Sequence, residues 1–211
     1  MKSVPLLARV IYAWVPVAGV GAFIALYLWA ASMYPGGTSF DHQTRGWSHL
    51  SNYWCDLLDR FSYSGAINPG RPFAILATVV LPLSLIPLWL QVPLLFGTGS
   101  ISCWIVRIAG STSMAFSTLV FTQLHDVIIH FASTFGFIAF VATTLRLAQI
   151  GRTLLVSIAL FSIGLGVTNY IMWQTTSLLW AMPMVQKAAY VAFFIWIIAT
   201  SHAIHRTIDI A

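Results

Sequence analysis

Val10 to Met33 reads VIYAWVPVAGVGAFIALYLWAASM, without one charged residue. Wound as a helix at about 1.5 Å per residue it reaches about 36 Å, enough to cross the roughly 30 Å hydrocarbon core of a bilayer. Such a run is either the buried centre of a large soluble domain or a membrane span, and the rest of the chain decides between them. Only 7% of the 211 residues are charged, 59% are hydrophobic, and there is no Glu. Soluble domains carry roughly 25% charged residues, so this chain cannot cover a globular surface. It reads as an integral membrane protein. Lys2 and Arg9 precede the run and Gly36-Gly37 follow it. A removable signal has an apolar core of roughly 7–15 residues, so this longer run is a retained first helix.

Five further runs extend the pattern. They are Pro72–Phe96, Ser102–Leu124, Asp126 or Val127 to Leu145, Thr153–Thr176 and Met184–Arg206. Pro82 and Pro87 predict a kink in the second, tolerated where neighbouring helices re-satisfy the freed carbonyls. Gly97-Thr98-Gly99-Ser100 and Gln149-Ile150-Gly151-Arg152 are turns. The apolar stretch Ile108–Leu145 is too long for one crossing and must reverse. Gln123-Leu124-His125-Asp126 is its polar place to do so. The expected fold is all-α: a polytopic bundle of six transmembrane helices in one domain, residues 1–211, with an outer loop over 34–71.

Basic residues in short loops set orientation. With the N-terminus inside, Lys2, Arg9, Arg107, Arg146, Arg152 and Arg206 are cytoplasmic, and Arg45, Arg60, Arg71 and Lys187 lie outside. The chain is expected N-in, C-in. The net charge of +5 comes from cations scattered singly at span edges, which suits membrane lipids and argues against nucleic acid. Cys55 and Cys103 fall at opposite faces, so no disulfide joins them.

This topology gathers polar groups at the outer face: Asp41, His42, His49, Asn52, Asp56, Asp59 and Asn68 in the loop, Gln123, His125 and Asp126 at the turn, His130 one turn deeper, Asn169, Tyr170 and Gln174 on span five, and Gln186-Lys187 on span six. Ionisable groups at membrane depth are costly and mark a site or a buried pair. Asp126 and His130 are four apart and share a helical face. They read either as an acid/base or metal-binding pair, or as a helix-start acid and a locally satisfied His. Asp56 and Asp59 offer oxygen ligands for a hard cation, or belong to an interfacial turn pairing with Arg60 or Arg71. His202 and His205 suit a helix C-terminus beside Arg206; the other four His lie at the opposite face, which argues against haem.

Ser51-Asn52-Tyr53-Trp54-Cys55-Asp56-Leu57-Leu58 and Ser64-Gly65-Ala66-Ile67-Asn68-Pro69-Gly70-Arg71-Pro72 resemble a group of uncharacterised bacterial six-helix membrane proteins. Leu124-His125-Asp126 and Pro183-Met184-Val185-Gln186-Lys187 do too. The group is of the domain-of-unknown-function 998 type and distantly similar to DRAM/Sfk/FRAG proteins. The resemblance implies a bacterial cytoplasmic membrane and no established activity. Trp54-Cys55-Asp56 also resembles the Trp-Cys-Glu element of alkaline ceramidases, seven-helix zinc amidases. Here Ser117 stands where a zinc-binding His is expected, and His202 and His205 are one residue too close together.

Three functions follow. A lipid headgroup or small polar ligand could sit under the outer loop, held by Asp56, His125, Asp126, His130, Asn169 and Lys187. A divalent metal on some of His125, Asp126, His130, Asp56 and His49 could instead generate a nucleophilic water for lipid amide or ester hydrolysis. Alternatively the chain is an accessory or assembly subunit, as a homo-oligomer or with a membrane protein partner. Small residues such as Gly19, Gly21, Gly110, Ser113, Gly164 and Gly166 would then serve close helix approach.

Overall fold

A backbone in lipid must satisfy its own hydrogen bonds, and the apolar runs do so as helices. The computed structural model describes residues 6–97 and 99–210, with side chains for 12–97 and 99–208. Lys2 and Thr98, and the side chain of Arg9, lie outside the described residues. Six α-helices follow in order: α1 (Leu6–Ser32), α2 (Arg71–Gln91), α3 (Ile101–Ser117), α4 (His125–Gln149), α5 (Thr153–Thr175) and α6 (Met182–Ile210). Short 3-10 turns occupy Trp54–Leu58 and Val92–Leu95. The fold is all-α, and α1, α2, α4, α5 and α6 are each long and apolar enough to cross a membrane.

The third helix departs from expectation. It ends at Ser117 after 17 residues, which is about 26 Å and short of a full hydrocarbon core. The reversal occupies Thr118–Leu124, ahead of the expected Gln123–Asp126, so His125 and Asp126 open α4. Hydroxyls at this end bond to local carbonyls. Ser117 Oγ donates to the Ser113 carbonyl and Thr118 Oγ1 to that of Ala115. Tight turns through Leu119, Val120 and Thr122 then carry the chain round without Gly or Pro.

Each helix packs against its neighbours in sequence, and α6 returns to α1, closing a ring. Successive helices run antiparallel. Ser113 Oγ near the end of α3 donates to the Ala132 carbonyl near the start of α4, and Trp14 near the start of α1 meets His205 near the end of α6. One end of the bundle is covered by residues 33–70, hereafter the cap end; the other is the terminal end. Gly19 lets α1 and α2 approach closely, since a β-carbon there would run into the Ser84 side chain. Gly110 of α3 accepts the Trp89 indole in the same way. Gly21, Gly164 and Gly166 face open space, so they make no close approach within the chain. Cys55 lies in the cap and Cys103 at the terminal end, both free.

Candidate functional site

The cap is built by its own polar side chains. Asn52 is fully buried; its Nδ2 donates to the Gly37 carbonyl and to Asp56 Oδ2, each at 3.0 Å, and its Oδ1 accepts from the Ser48 amide. Asp56, 4% exposed, also accepts the Tyr53 amide at 2.9 Å. Asn68, equally buried, ties the carbonyls of Leu57 and Asp59 to the Gly70 amide at the start of α2. These bonds satisfy backbone groups that no strand or helix pairs.

Three contacts key this cap to α6 and the connection before it. Lys187 Nζ donates to the Asn52 carbonyl and, at 3.1 Å, to that of Pro183. Gln186 Oε1 accepts the Trp54 amide at 3.1 Å, and the Tyr53 hydroxyl donates to the Leu179 carbonyl at 3.3 Å. Beneath them Trp54 packs among Phe23, Tyr27, Tyr190 and Phe194, with ring centroids 4.6 to 6.3 Å away.

Burial sets the electrostatics. It raises the Asp56 carboxyl to about 6, against which the bonds from Asn52 and Tyr53 favour the charged form. Burial also lifts the Asp59 carboxyl, with His125 and Arg71 pulling it back down. It pushes the Cys55 thiol up to about 12, so this cysteine is held as an unreactive thiol.

The sequence-derived candidates fall into separate neighbourhoods. Asp56 and Lys187 meet through Asn52. His125, its Nδ1 2.6 Å from the Val120 carbonyl, lies near Asp59 rather than Asp56. His130 Nδ1 donates to the backbone carbonyl of Asp126 at 2.6 Å, and its ring packs against Trp173 of α5. Asp126 is exposed in the first turn of α4, where a carboxylate is favoured by the helix dipole. Asn169 sits one turn before Trp173, its Oδ1 buried. His49 is at the cap surface, its Nδ1 accepting Trp47 Nε1–H at 3.2 Å. Arg60 lies over the Phe61 ring and Arg71 Nε donates to the Leu58 carbonyl. Among the described residues no three His, Cys, Asp or Glu side chains converge to hold a metal.

His49 does line a concavity. An open groove of about 280 Å³ runs between the last turns of α1 and the cap, bounded by Leu28, Ala31, Ser32, Tyr34, Gly46, Trp47 and His49. Tyr34 meets Trp47 edge to face at 5.4 Å, and the Lys187 ammonium stands 5.8 Å from the centre of the same Trp47 ring. Trp47 is legible in the sequence as an interfacial aromatic; Tyr34, Ser32 and Ala31 carry no signal, because the groove exists only once the cap folds over α1. No family of known proteins, no curated protein and no solved structure matches this chain.

Proposed function

We propose that this integral membrane protein binds a phospholipid at the outer membrane face, with the headgroup region in the groove between α1 and the cap. The observation that carries it is the groove's own gradient. Leu28 and Ala31 form its α1 side, while Ser32, Trp47 and His49 supply a hydroxyl, an indole face and an imidazole. An amphipathic slot at the end of an apolar helix matches an amphipathic ligand, and Trp and Tyr belong at that depth. The orientation is part of the proposal, with both termini cytoplasmic in a bacterial inner membrane and α3 as a short sixth span. So is kinship with the domain-of-unknown-function 998 group, resting on the cap motifs.

A ligand that binds only the folded state stabilises it by mass action. Phospholipid added to the purified protein in mild detergent raises the melting temperature by several degrees, and Trp47→Ala with His49→Ala abolishes that rise. An equal rise in the double variant removes the groove from the account. A second reading, an accessory subunit, has one observation of its own. Gly164 of α5 opens outward between exposed Phe161 and Val167, where a partner helix would pack. A single-chain mass in mild detergent counts against it.

A further inference from the structure

The sequence places most of its unusual polar groups at the cap end, with His202 and His205 at the other, yet the interior of the terminal end holds a further polar layer. Trp89 of α2 and Trp196 of α6 are 1% and 0% exposed, and their ring centroids lie 6.0 Å apart. Thr200 follows Trp196 by one turn on the same face and Ser201 stands next to it, both fully buried. Among the described residues, neither indole N–H and neither hydroxyl has a hydrogen-bond partner. The buried Oε1 of Gln91, on the same end of α2, is in the same position.

Other hydroxyls on α4, α5 and α6 behave differently. Thr143, Thr144, Ser162, Thr168 and Thr207 each donate to the carbonyl four residues back. Thr200 and Ser201 do not. An indole N–H can only donate, and a polar group left unmet in a low-dielectric interior is destabilising. Gathering several such groups in one layer calls for a ligand that both accepts and donates. Water does so, and buried water typically makes about three hydrogen bonds to such groups.

We propose that ordered water binds inside the bundle between α2 and α6, accepting from Trp89 and Trp196 and donating to Thr200. Groups of α3 and α4 wall this layer. Phe140 of α4 stands edge-on to Trp196 at 4.6 Å, and Gly110 of α3 seats the Trp89 indole. Hydroxyl radicals made by a brief X-ray pulse label side chains that touch water, bound water included, and mass spectrometry in ¹⁸O-water locates them. Trp89 and Trp196 take up label at rates comparable to exposed Trp180 of the α5–α6 connection. Thr200→Val lowers labelling of Trp196 several-fold and leaves Trp180 unchanged. Absence of label on both buried indoles in the native protein overturns the proposal without need of the variant, and so does unchanged Trp196 labelling in Thr200→Val.

Discussion

Lys187 of α6 gives its ammonium to the backbone carbonyl of Asn52, a residue 135 positions earlier and fully buried in the cap. The same Asn52 side chain holds Gly37, Ser48 and Asp56. Removing it orphans several buried groups together, so Asn52→Leu should cost about 2–4 kcal/mol. Thermal unfolding in detergent measures this. Lys187→Met keeps most of the stem and should cost less, about 1–2 kcal/mol.

Asp56 gives a pH dependence with a definite sign. Its folded-state value of about 6 lies above the ordinary 3.8, so the folded protein holds this proton more tightly. The associated stability is complete below about pH 4 and lost as pH rises through about 6, on the order of 2–3 kcal/mol in all. Asp56→Asn, which can still accept both N–H groups, should flatten the melting temperature over that window and match or exceed the native protein at pH 7. A variant with the native slope, or one much weaker at pH 7, contradicts this.

Helix packing separates the glycines. Gly19→Leu must push α1 from Ser84, a clash of the kind that costs roughly 1–3 kcal/mol or more. Gly164→Leu meets open space on α5 and should leave stability unchanged or slightly raised, as Gly is a poor helix former. The two melting temperatures in one detergent decide it.

Much of the fold was legible in the sequence because scarcity of charge and long apolar runs are one-dimensional facts. The helices at α1, α2, α5 and α6 fall where those runs fall. The end of α3 was not, because the turn over Thr118–Leu124 holds no Gly, Pro or charge to interrupt the apolar pattern. The candidate site was legible only as an inventory. Sequence places His130 and Asp126 on one face, yet the imidazole takes the backbone carbonyl and leaves the carboxylate to solvent. The buried Trp89–Trp196 layer passed unseen since tryptophan and threonine look ordinary in a span.

Orientation has its own test. In a Cys55→Ser, Cys103→Ser background, an impermeant thiol reagent outside cells should label Ser39→Cys, at the exposed cap, and spare Ile150→Cys, at the α4–α5 turn. The reverse pattern inverts the topology and puts the groove on the other face.

Native mass spectrometry from mild detergent reads out a lipid held in the groove. The native protein should retain one phospholipid per chain, and the Trp47→Ala, His49→Ala variant should retain none while still unfolding cooperatively in lipid-free detergent. A native protein that emerges bare, or a variant that holds the same lipid, contradicts the account.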